Sequence, residues 1–458
     1  MDFATVFMLL VPLVTLYVRN TNQAVPPGVA WGNLGFIALS SGAFAVAGIW
    51  LLRHVIARFI RRSQQDNKGR TSLKVGRFGT AYGAGLVALF FYQVNYLDWK
   101  GSFETLFFSC RWFVISDLLL VLPFLLPFLA FRGEIARLLL TLRGIKTSRL
   151  SQMRNQARTM AVLFVPQLLY LNIYRAVLED VPGTSDLLAR HPMFSFLLAG
   201  VLLFALFLAS PYFIRLLFKR VPLEQFPGGS ALLEPIDKLS KRAGISLGAT
   251  FVWLTGERKV ANAAVSGIVG KQRTVFLTDH IMNSLSAPEL LAVVAHEIGH
   301  ARFKHLLFNF LLAIMTGVFV LWTFVFISPW VETGEQTGMA VIMLQGIYIL
   351  VIFGFFARRF ERQADLYAAY AVGSPPLVGN ALLKLARLNG VSVKRTTVTH
   401  PSIFKRVQLL ARLEEKFGQN LEIPVRRTIW FNRLLALVLV SALAVTVFFV
   451  EYFVGEGF

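Results

Sequence analysis

The 458-residue sequence is poor in cysteine and in charged residues. Its single cysteine, Cys110, has no second cysteine to pair with, which excludes an internal disulfide bond and a zinc site built from cysteines. Charged residues make up only 16% of the chain, whereas a soluble domain usually contains about 25%. The chain also lacks low-complexity tracts and repeats of fixed period. The low charge content argues against an ordinary water-soluble fold.

Apolar side chains and positive charge are present in excess. Hydrophobic residues account for 55% of the chain, which rules out intrinsic disorder because disordered segments have low hydrophobicity. The chain has 46 Lys and Arg residues against 25 Asp and Glu residues, a net charge of +21. A soluble nucleic-acid-binding protein would explain the charge but not the apolar content. We therefore predict an α-helical polytopic membrane protein with its positive charge on one side of the bilayer and no nucleic-acid partner.

Nine segments are candidates for membrane-spanning helices, each of which needs roughly 20 apolar residues. In chain order they are Phe3–Val18, Trp31–Leu52, Phe78–Leu97, Phe113–Phe131, Thr159–Tyr174, Met193–Ile214, Leu306–Ile327, Gly338–Phe356 and Leu434–Val450. The first segment is a poor signal peptide, because it follows Met1-Asp2 rather than a basic region. We therefore predict about nine transmembrane helices.

The loops between these segments alternate in charge. Segments 53–77 and 132–158 together carry fifteen Lys and Arg residues, whereas the loops on the opposite side carry four, against nine acidic residues. Because Lys and Arg are enriched in cytoplasmic loops, we predict a cytoplasmic amino terminus and an external carboxyl terminus. Two long polar segments, 217–305 and 357–429, then both lie in the cytoplasm. They are either two unrelated loops or one domain interrupted by a membrane hairpin.

The second interpretation divides the chain into five parts. They are an amino-terminal transmembrane region with six candidate spans (1–216), the first part of a cytoplasmic domain (217–305), a transmembrane hairpin (306–356), the second part of that domain (357–429), and a carboxyl-terminal transmembrane helix with a short external tail (430–458). The chemistry of the two polar segments favours this interpretation, as follows.

The sequence His-Glu-Ile-Gly-His begins at His296 and is expected by chance only on the order of a few times in a thousand sequences of this composition. Ser286 and Glu289 form a predicted capping box, so we expect a helix from near Ser286 through His300. On that helix His296 and His300 share one face and can bind one metal ion. Glu297 lies beside the metal and is the predicted general base for water. The alternative is a solvated helix that happens to carry two histidines.

A catalytic zinc ion takes three protein ligands and keeps one position open, so a third ligand is needed. Glu361 and Asp365 follow the hairpin, four residues apart and hence on one helix face. Glu361 is the predicted third ligand, and Asp365 is predicted to orient a ligating histidine. The alternative is ordinary helix-surface charge beside Arg358, Arg359 and Arg362.

Further along, His400 stands before Pro401 and Ser402. One role for His400 is to donate a hydrogen bond to a developing oxyanion, with support from Arg406. Taken from the residues alone, a surface histidine at a turn before proline is the simpler interpretation.

The three motifs in this order resemble the integral-membrane zinc metallopeptidases of the CAAX prenyl endoprotease and HtpX heat-shock protease family. The resemblance covers roughly residues 217–410, including the transmembrane helices between the two metal motifs. It implies a zincin-like α+β domain with one Zn²⁺ per chain. The roles that it implies are zinc ligation by His296, His300 and Glu361, catalysis by Glu297 with His400 and Arg406 near the transition state, support of a ligand by Asp365, and contact with bound peptide by Asn262 and Ala263.

Two further segments concern the substrate. Val260–Ile268 and Thr274–Leu277 are predicted strands around a glycine turn, and an edge strand here would let a peptide add to the sheet. The resemblance implies a zinc endopeptidase, and the loop charges predict a cytoplasmic active site, in the inner membrane if the source is bacterial. Its partners would be the lipid bilayer and membrane-associated or membrane-derived proteins or peptides.

Two alternative functions stay open. One is a CAAX-type processing protease for lipidated carboxyl termini. The other is a transporter or membrane scaffold with a structural zinc site. Glu297 distinguishes the last of these, because a structural site needs no base and more often closes with a fourth protein ligand.

Overall fold

The computed structural model describes residues 25–62, 68–107, 113–142, 144–184, 186–187, 192–327, 344, 346–418, 420–449 and 452. The predicted span Phe3–Val18 and the first residues of the predicted span Gly338–Phe356 lie outside the described residues. Backbone contacts divide the chain into two compact units, one ending at Ile173 and the other beginning at Tyr174. The predicted five-part division of the chain stays a prediction.

The first unit is built from helices in its described residues. They are α1 (Pro27–Arg62), α2 (Lys68–Asn95), α3 (Trp99–Phe107), α4 (Phe113–Leu142) and most of α5 (Arg149–Asp180). Aromatic side chains, among them Phe90 of α2 and Phe124 and Phe128 of α4, fill its core. The indole N–H of Trp99 donates to the carbonyl of Leu120 at 2.8 Å, which satisfies the polar atom of this buried ring.

The second unit combines long helices with a small sheet. Its helices are α6 (Pro192–Leu217), α7 (Ser230–Arg242), α8 (Asp279–Met282), α9 (Ala287–Arg302), α10 (His305–Ile327), α11 (Gly354–Val372), α12 (Pro375–Asn389), α13 (Ile403–Phe417) and α14 (Glu422–Phe449). Its strands are β1 (Arg220–Pro222), β2 (Ala249–Trp253), β3 (Ala263–Ser266) and β4 (Thr274–Thr278). A π-helical turn, Ile349–Phe353, leads into α11.

Several helices are long and apolar enough to cross a membrane. Among the described residues these are the segments Pro27–Val55, Ser116–Thr141, Leu197–Leu217 and Glu422–Phe449. Two bent pairs, Arg149–Val162 with Phe164–Val177 and Ala287–Arg302 with His305–Phe319, bring the number to six if each pair is one span. A mostly helical chain with several candidate spans and a small sheet is therefore confirmed, while the number nine and the orientation stay predictions.

The sheet has the strand order β1-β2-β4-β3. Strands β2 and β4 run parallel, and the two outer pairs are antiparallel. Every residue of β4 is buried, and Val275 and Leu277 join the core formed with α9, α11 and α12. Because β3 pairs with β4 alone in this order, one of its edges carries no strand from the described residues.

Helix α9 begins as the sequence predicts. The carboxylate of Glu289 accepts hydrogen bonds from the backbone N–H and the hydroxyl of Ser286, at 2.7 and 3.0 Å, which completes the capping box. The helix ends before Lys304, whose φ of 57° lies in the left-handed region, and α10 leaves at a bend of 50°. Val294 and Ile298 of α9 are buried in the core beside the sheet.

A glycine permits the close approach of α9 and α11. A Cβ atom at Gly299 would lie 3.1 Å from the Cα atom of Ala364 and 3.1 Å from the Cβ atom of Tyr367. The absence of a side chain at Gly299 therefore lets the two helices pack backbone to backbone. This contact brings residues of the two polar segments, 217–305 and 357–429, together.

Candidate metal centre and active site

The three predicted metal ligands lie together where α9 packs on α11. The Nε2 atoms of His296 and His300 are 3.2 Å apart. Carboxylate oxygens of Glu361 lie 3.8 Å from His296 Nε2 and 3.6 Å from His300 Nε2. The ligand atoms of all three residues are within 4.8 Å of one another. Two imidazoles and one carboxylate are the protein ligands of one type of catalytic zinc site, so the residues present fit the implied zinc ion.

Asp365 lies one helical turn after Glu361 and supports the first histidine. Its side chain is fully buried, and Oδ1 is 3.1 Å from His296 Nδ1. Burial alone would lower the pKa of His296, but the hydrogen bond with Asp365 and the negative charges of Asp365 and Glu361 together raise it. This pairing places a proton on Nδ1 and leaves Nε2 available to a metal, as the predicted role of Asp365 requires.

Arg406, on the first turn of α13, connects the two carboxylates of α11. Its Nε and Nη2 atoms donate to the two oxygens of Asp365 at 2.8 and 2.6 Å, and its Nη1 atom lies 3.1 Å from Glu361 Oε2. Burial alone would raise the pKa of Asp365, but Arg406 outweighs burial and holds it well below its usual range. Both carboxylates are thus kept ionised. We call Arg406, Asp365 and Glu361 the Arg406 cluster.

The second histidine of the motif is a neutral imidazole near pH 7. Burial, with a further contribution from His296, lowers the pKa of His300 to about 4. A neutral imidazole offers the lone pair that a metal ion needs.

Glu297 points to the sheet side of the site. Its Oε2 atom accepts a hydrogen bond from the backbone N–H of Val265 in β3 at 3.2 Å. Burial raises the pKa of Glu297 to about 7, against the opposing effect of His296. A carboxylate with a pKa near the working pH can both accept and return a proton, which is what a general base needs.

His400 lies at the solvent side of the metal ligands. Its side chain is 58% exposed, and Nε2 is 3.4 Å from Glu361 Oε1. Its Nδ1 atom is 2.8 Å from the hydroxyl of Thr399. The hydroxyl oxygen of Ser402 accepts a hydrogen bond from the backbone N–H of Lys405 at 3.3 Å and so caps the start of α13. The loop that carries His400 ends at this cap. His400 is therefore beside the ligands, although it is not buried with them.

An open cavity of about 410 Å³ lies over these residues. It is lined by eight of the nine predicted site residues: Asn262, Ala263, His296, Glu297, His300, Glu361, His400 and Arg406. Asp365, the ninth, supports His296 from behind. The cavity therefore brings the predicted ligands, base and peptide-contacting residues to one place.

The free edge of β3 faces this cavity. The carbonyl of Asn262 accepts from the N–H of Thr278 at 3.0 Å, so Asn262 bonds towards β4. In an antiparallel pair the next residue directs its N–H and C=O the other way, which places the backbone groups of Ala263 and Val265 on the open edge. The contact of Val265 with Glu297 lies on that edge.

A buried polar chain that was not predicted from the sequence lies behind His300. His305 Nδ1 lies 3.0 Å from His300 Nδ1, and His305 Nε2 lies 2.7 Å from Gln363 Oε1. The amide of Gln363 in turn donates to Asn432 of α14 at 3.0 Å. His305 thus backs one ligand as Asp365 backs the other. The sequence carried one sign of this polar chain, namely that a third histidine, His305, stands five residues after His300.

Two histidines on one helix, a glutamate on a second helix and Glu297 over one cavity form a candidate metal centre. The comparisons with known proteins agree. Residues 231–414 match the family model of peptidase family M48. The chain is similar to a protease HtpX homolog of Gemmatimonas aurantiaca, with 31% identity over 160 residues, covering 34% of this chain and 56% of that protein.

A second relative is a CAAX prenyl protease 1 homolog of Dictyostelium discoideum. It is 30% identical over 177 residues, covering 34% of this chain and 40% of that protein. The chain thus spans about half the length of these two relatives. A solved structure, the crystal structure of S. mikatae Ste24p, is 19% identical with a TM-score of 0.44 and covers 85% of this chain and all of that chain. The match of residues 231–414 to peptidase family M48 supports the resemblance seen in the motifs.

Proposed function

We propose that this protein is a membrane-embedded zinc endopeptidase that cleaves membrane-associated or membrane-derived proteins or peptides. The observation that carries the proposal is the position of Glu297, a carboxylate that lines the same cavity as the three ligand side chains. A structural zinc site needs no such base and more often has four protein ligands. In the part of the chain that the structure describes, the metal-binding group has three.

Each residue of the site has a defined part in the proposed hydrolysis. His296, His300 and Glu361 would hold zinc, which when bound supplies a Lewis acid to the scissile carbonyl and to the attacking water. Glu297 takes a proton from the water and passes it to the leaving amine. His400 donates a hydrogen bond to the oxygen that becomes negatively charged. Arg406 acts by positioning Asp365 and Glu361.

The open edge of β3 supports an extended substrate. The backbone N–H and C=O of Ala263 are directed to this edge, where a peptide can add as a further strand. Asn262 lines the cavity beside it. The side chain of Asn389 in α12 holds the preceding residue, Ala261, by accepting from its N–H at 3.1 Å and donating to its C=O at 2.7 Å. This clamp fixes the start of the edge before a substrate arrives.

The main test separates metal binding from proton transfer. Glu297→Gln should keep zinc and the fold but lose peptidase activity by several orders of magnitude, because an amide does not accept the proton. Glu415→Gln makes the same chemical change on the exposed face of α13 and is the matched control. Activity of Glu297→Gln close to that of the control would remove Glu297 from the mechanism.

Zinc itself is tested by metal content. We expect about one zinc ion per chain, as three ligands with one open position define a single site. His296→Ala/His300→Ala should abolish this zinc, and a chelator should abolish the activity of the unaltered protein. Undiminished zinc in the double variant would contradict the ligand assignment.

A CAAX-type processing function is the second candidate, and the Dictyostelium relative favours it. A peptide with a farnesylated carboxyl-terminal sequence distinguishes the two functions when it is compared with the same peptide without the lipid. Cleavage that requires the lipid would favour processing, and cleavage of both peptides at similar rates would favour the broader endopeptidase.

We propose that the active site faces the cytoplasm, which in a bacterial source would place the protein in the inner membrane. The charge asymmetry of the loops supports this orientation. A reporter fused after residue 145 should give a cytoplasmic signal. An external signal from a reporter near residue 240 would overturn the orientation.

A further inference from the structure

A second group of buried ionic side chains lies in the first unit, far along the sequence from the metal ligands. Its centre is Glu134 of α4, whose carboxylate is completely buried. Arg53 of α1 donates to it from Nε at 2.7 Å, and Arg149 at the start of α5 donates from Nε at 3.0 Å. Arg137 of α4 donates from Nε and Nη2 at 3.0 and 2.7 Å. We call these four residues the Glu134 cluster.

The Glu134 cluster has more positive than negative charge. Three guanidinium groups surround one carboxylate, which leaves an excess of two positive charges. Neutralising Glu134 needs only one arginine, so the carboxylate by itself does not explain three. Arg53 and Arg149 donate to Glu134 from Nε and are 49% and 42% exposed. Their exposure leaves part of each guanidinium group accessible, and paired guanidinium N–H groups match the oxygens of a phosphate.

The neighbouring surface places the cluster at the boundary of a bilayer. Helix α1 carries exposed apolar side chains along its membrane-spanning segment, among them Phe36, Leu39 and Val46. Trp50, which is 58% exposed, lies one turn before Arg53 and near the end of the candidate span Pro27–Val55. Tryptophan is enriched where a membrane helix meets the headgroup region. Arg53 thus lies near the end of the candidate span.

The other end of the cluster has the same combination of charge and apolar surface. Leu150, the residue after Arg149, is 66% exposed. Lys146, three residues before Arg149, is also exposed. A ligand that fits this surface has an anionic head and an apolar body, which is the chemistry of a membrane lipid and not of a soluble anion or a nucleic acid.

We propose that the Glu134 cluster binds the phosphate group of an anionic membrane phospholipid. Guanidinium N–H groups of Arg53 and Arg149 donate hydrogen bonds to the phosphate oxygens, and Arg137 adds a third positive charge. Glu134 holds the three arginines in place by accepting their Nε donors. The acyl chains lie along the exposed apolar face of α1.

Lipid binding to the purified full-length protein in detergent micelles tests the proposal. Native mass spectrometry counts bound phosphatidylglycerol over a concentration series, with zwitterionic phosphatidylcholine as the comparison lipid. Arg53→Gln/Arg149→Gln should weaken phosphatidylglycerol binding about 25-fold, because each surface arginine contributes roughly five-fold to the attraction of anionic lipid. Arg53→Gln alone, in which Glu134 keeps two partners, should weaken it about five-fold.

A matched control separates a built site from general surface charge. Arg154 and Arg158 are exposed on α5 and belong to the same basic segment, so Arg154→Gln/Arg158→Gln removes the same charge outside the cluster. Binding that falls equally in both double variants would overturn the proposal, as would binding that falls in neither. Equal binding of phosphatidylcholine would also overturn it. Displacement of the lipid by inorganic phosphate at similar concentration would assign the cluster to a soluble anion instead.

Discussion

The two units of this protein each contain a buried group of carboxylates and arginines, and the two groups differ in charge balance. In the Arg406 cluster one arginine serves two carboxylates, Glu361 and Asp365. In the Glu134 cluster three arginines serve one carboxylate. The first has an excess of negative charge beside two histidines, which suits a cation. The second has an excess of positive charge, which suits an anion. The two clusters thus suit ions of opposite charge because the ratio of arginines to carboxylates differs between them.

The two clusters also differ in how much water reaches their arginines. Arg406 has only 8% of its side chain exposed, whereas Arg53 is 49% exposed. A buried ion pair that loses one partner leaves an unpaired charge in a medium of low dielectric constant. A half-exposed partner can be replaced by water at little cost. Stability should therefore depend on Arg406 far more than on Arg53.

The largest expected effect follows from this difference. Arg406→Gln should lower the free energy of unfolding by about 3–5 kcal/mol, because Asp365 stays buried without its guanidinium. Arg53→Gln should cost about 1 kcal/mol or less, since Glu134 keeps two other arginines. Denaturant titration in detergent micelles with a metal chelator present measures both without any contribution from zinc. Equal losses in the two variants would show that exposure and charge balance do not distinguish the clusters.

The next effect concerns the exposed neighbour of the Arg406 cluster. His400→Ala should lower kcat by about 10²–10³-fold, as is typical for loss of one oxyanion donor, with a smaller change in KM. Zinc content should not change, because His400 is not a proposed ligand. His54→Ala, an exposed histidine of the first unit, is the matched control. Unchanged kinetics would make His400 a surface turn residue, and loss of zinc would make it a ligand.

A smaller effect should come from the packing that assembles the Arg406 cluster beside the histidines. Gly299→Ala adds a methyl group 3.1 Å from Ala364 and Tyr367 of α11, and overpacking of this kind costs about 1–3 kcal/mol. Zinc affinity should fall with it, because α9 and α11 are pushed apart. Gly200→Ala in α6 has no atom within 4 Å of the new methyl group. That control should be neutral or stabilising by up to about 1 kcal/mol. Similar results for the two glycines would contradict close packing as the reason for Gly299.

Local chemistry explains what could be predicted without the structure. The start of α9 depends on Ser286 and Glu289, which lie within one helical turn, so their pattern is visible in the sequence. The same holds for the two pairs His296 with His300 and Glu361 with Asp365, because residues four apart share a helix face. Apolar runs of sufficient length likewise predicted several of the candidate spans.

Contacts between distant residues needed the tertiary structure. Arg406 reaches Asp365 across 41 residues, and His305 reaches Gln363 across 58. No local pattern predicts these pairs, since each depends on how α9, α11, α13 and α14 pack. Sequence spacing suggested a surface position for His400, but only the fold placed it 3.4 Å from Glu361.

By itself, then, the sequence determined the helical membrane class and the metal-binding motifs, because apolar length and four-residue spacing act within a single helix. The tertiary structure decided which motifs meet. Gly299 lets α9 lie against α11, and that contact turns two separate pairs of residues into one metal-binding group. It also decided the charge balance of each cluster, since the number of arginines around a carboxylate depends on helices brought together from distant parts of the chain.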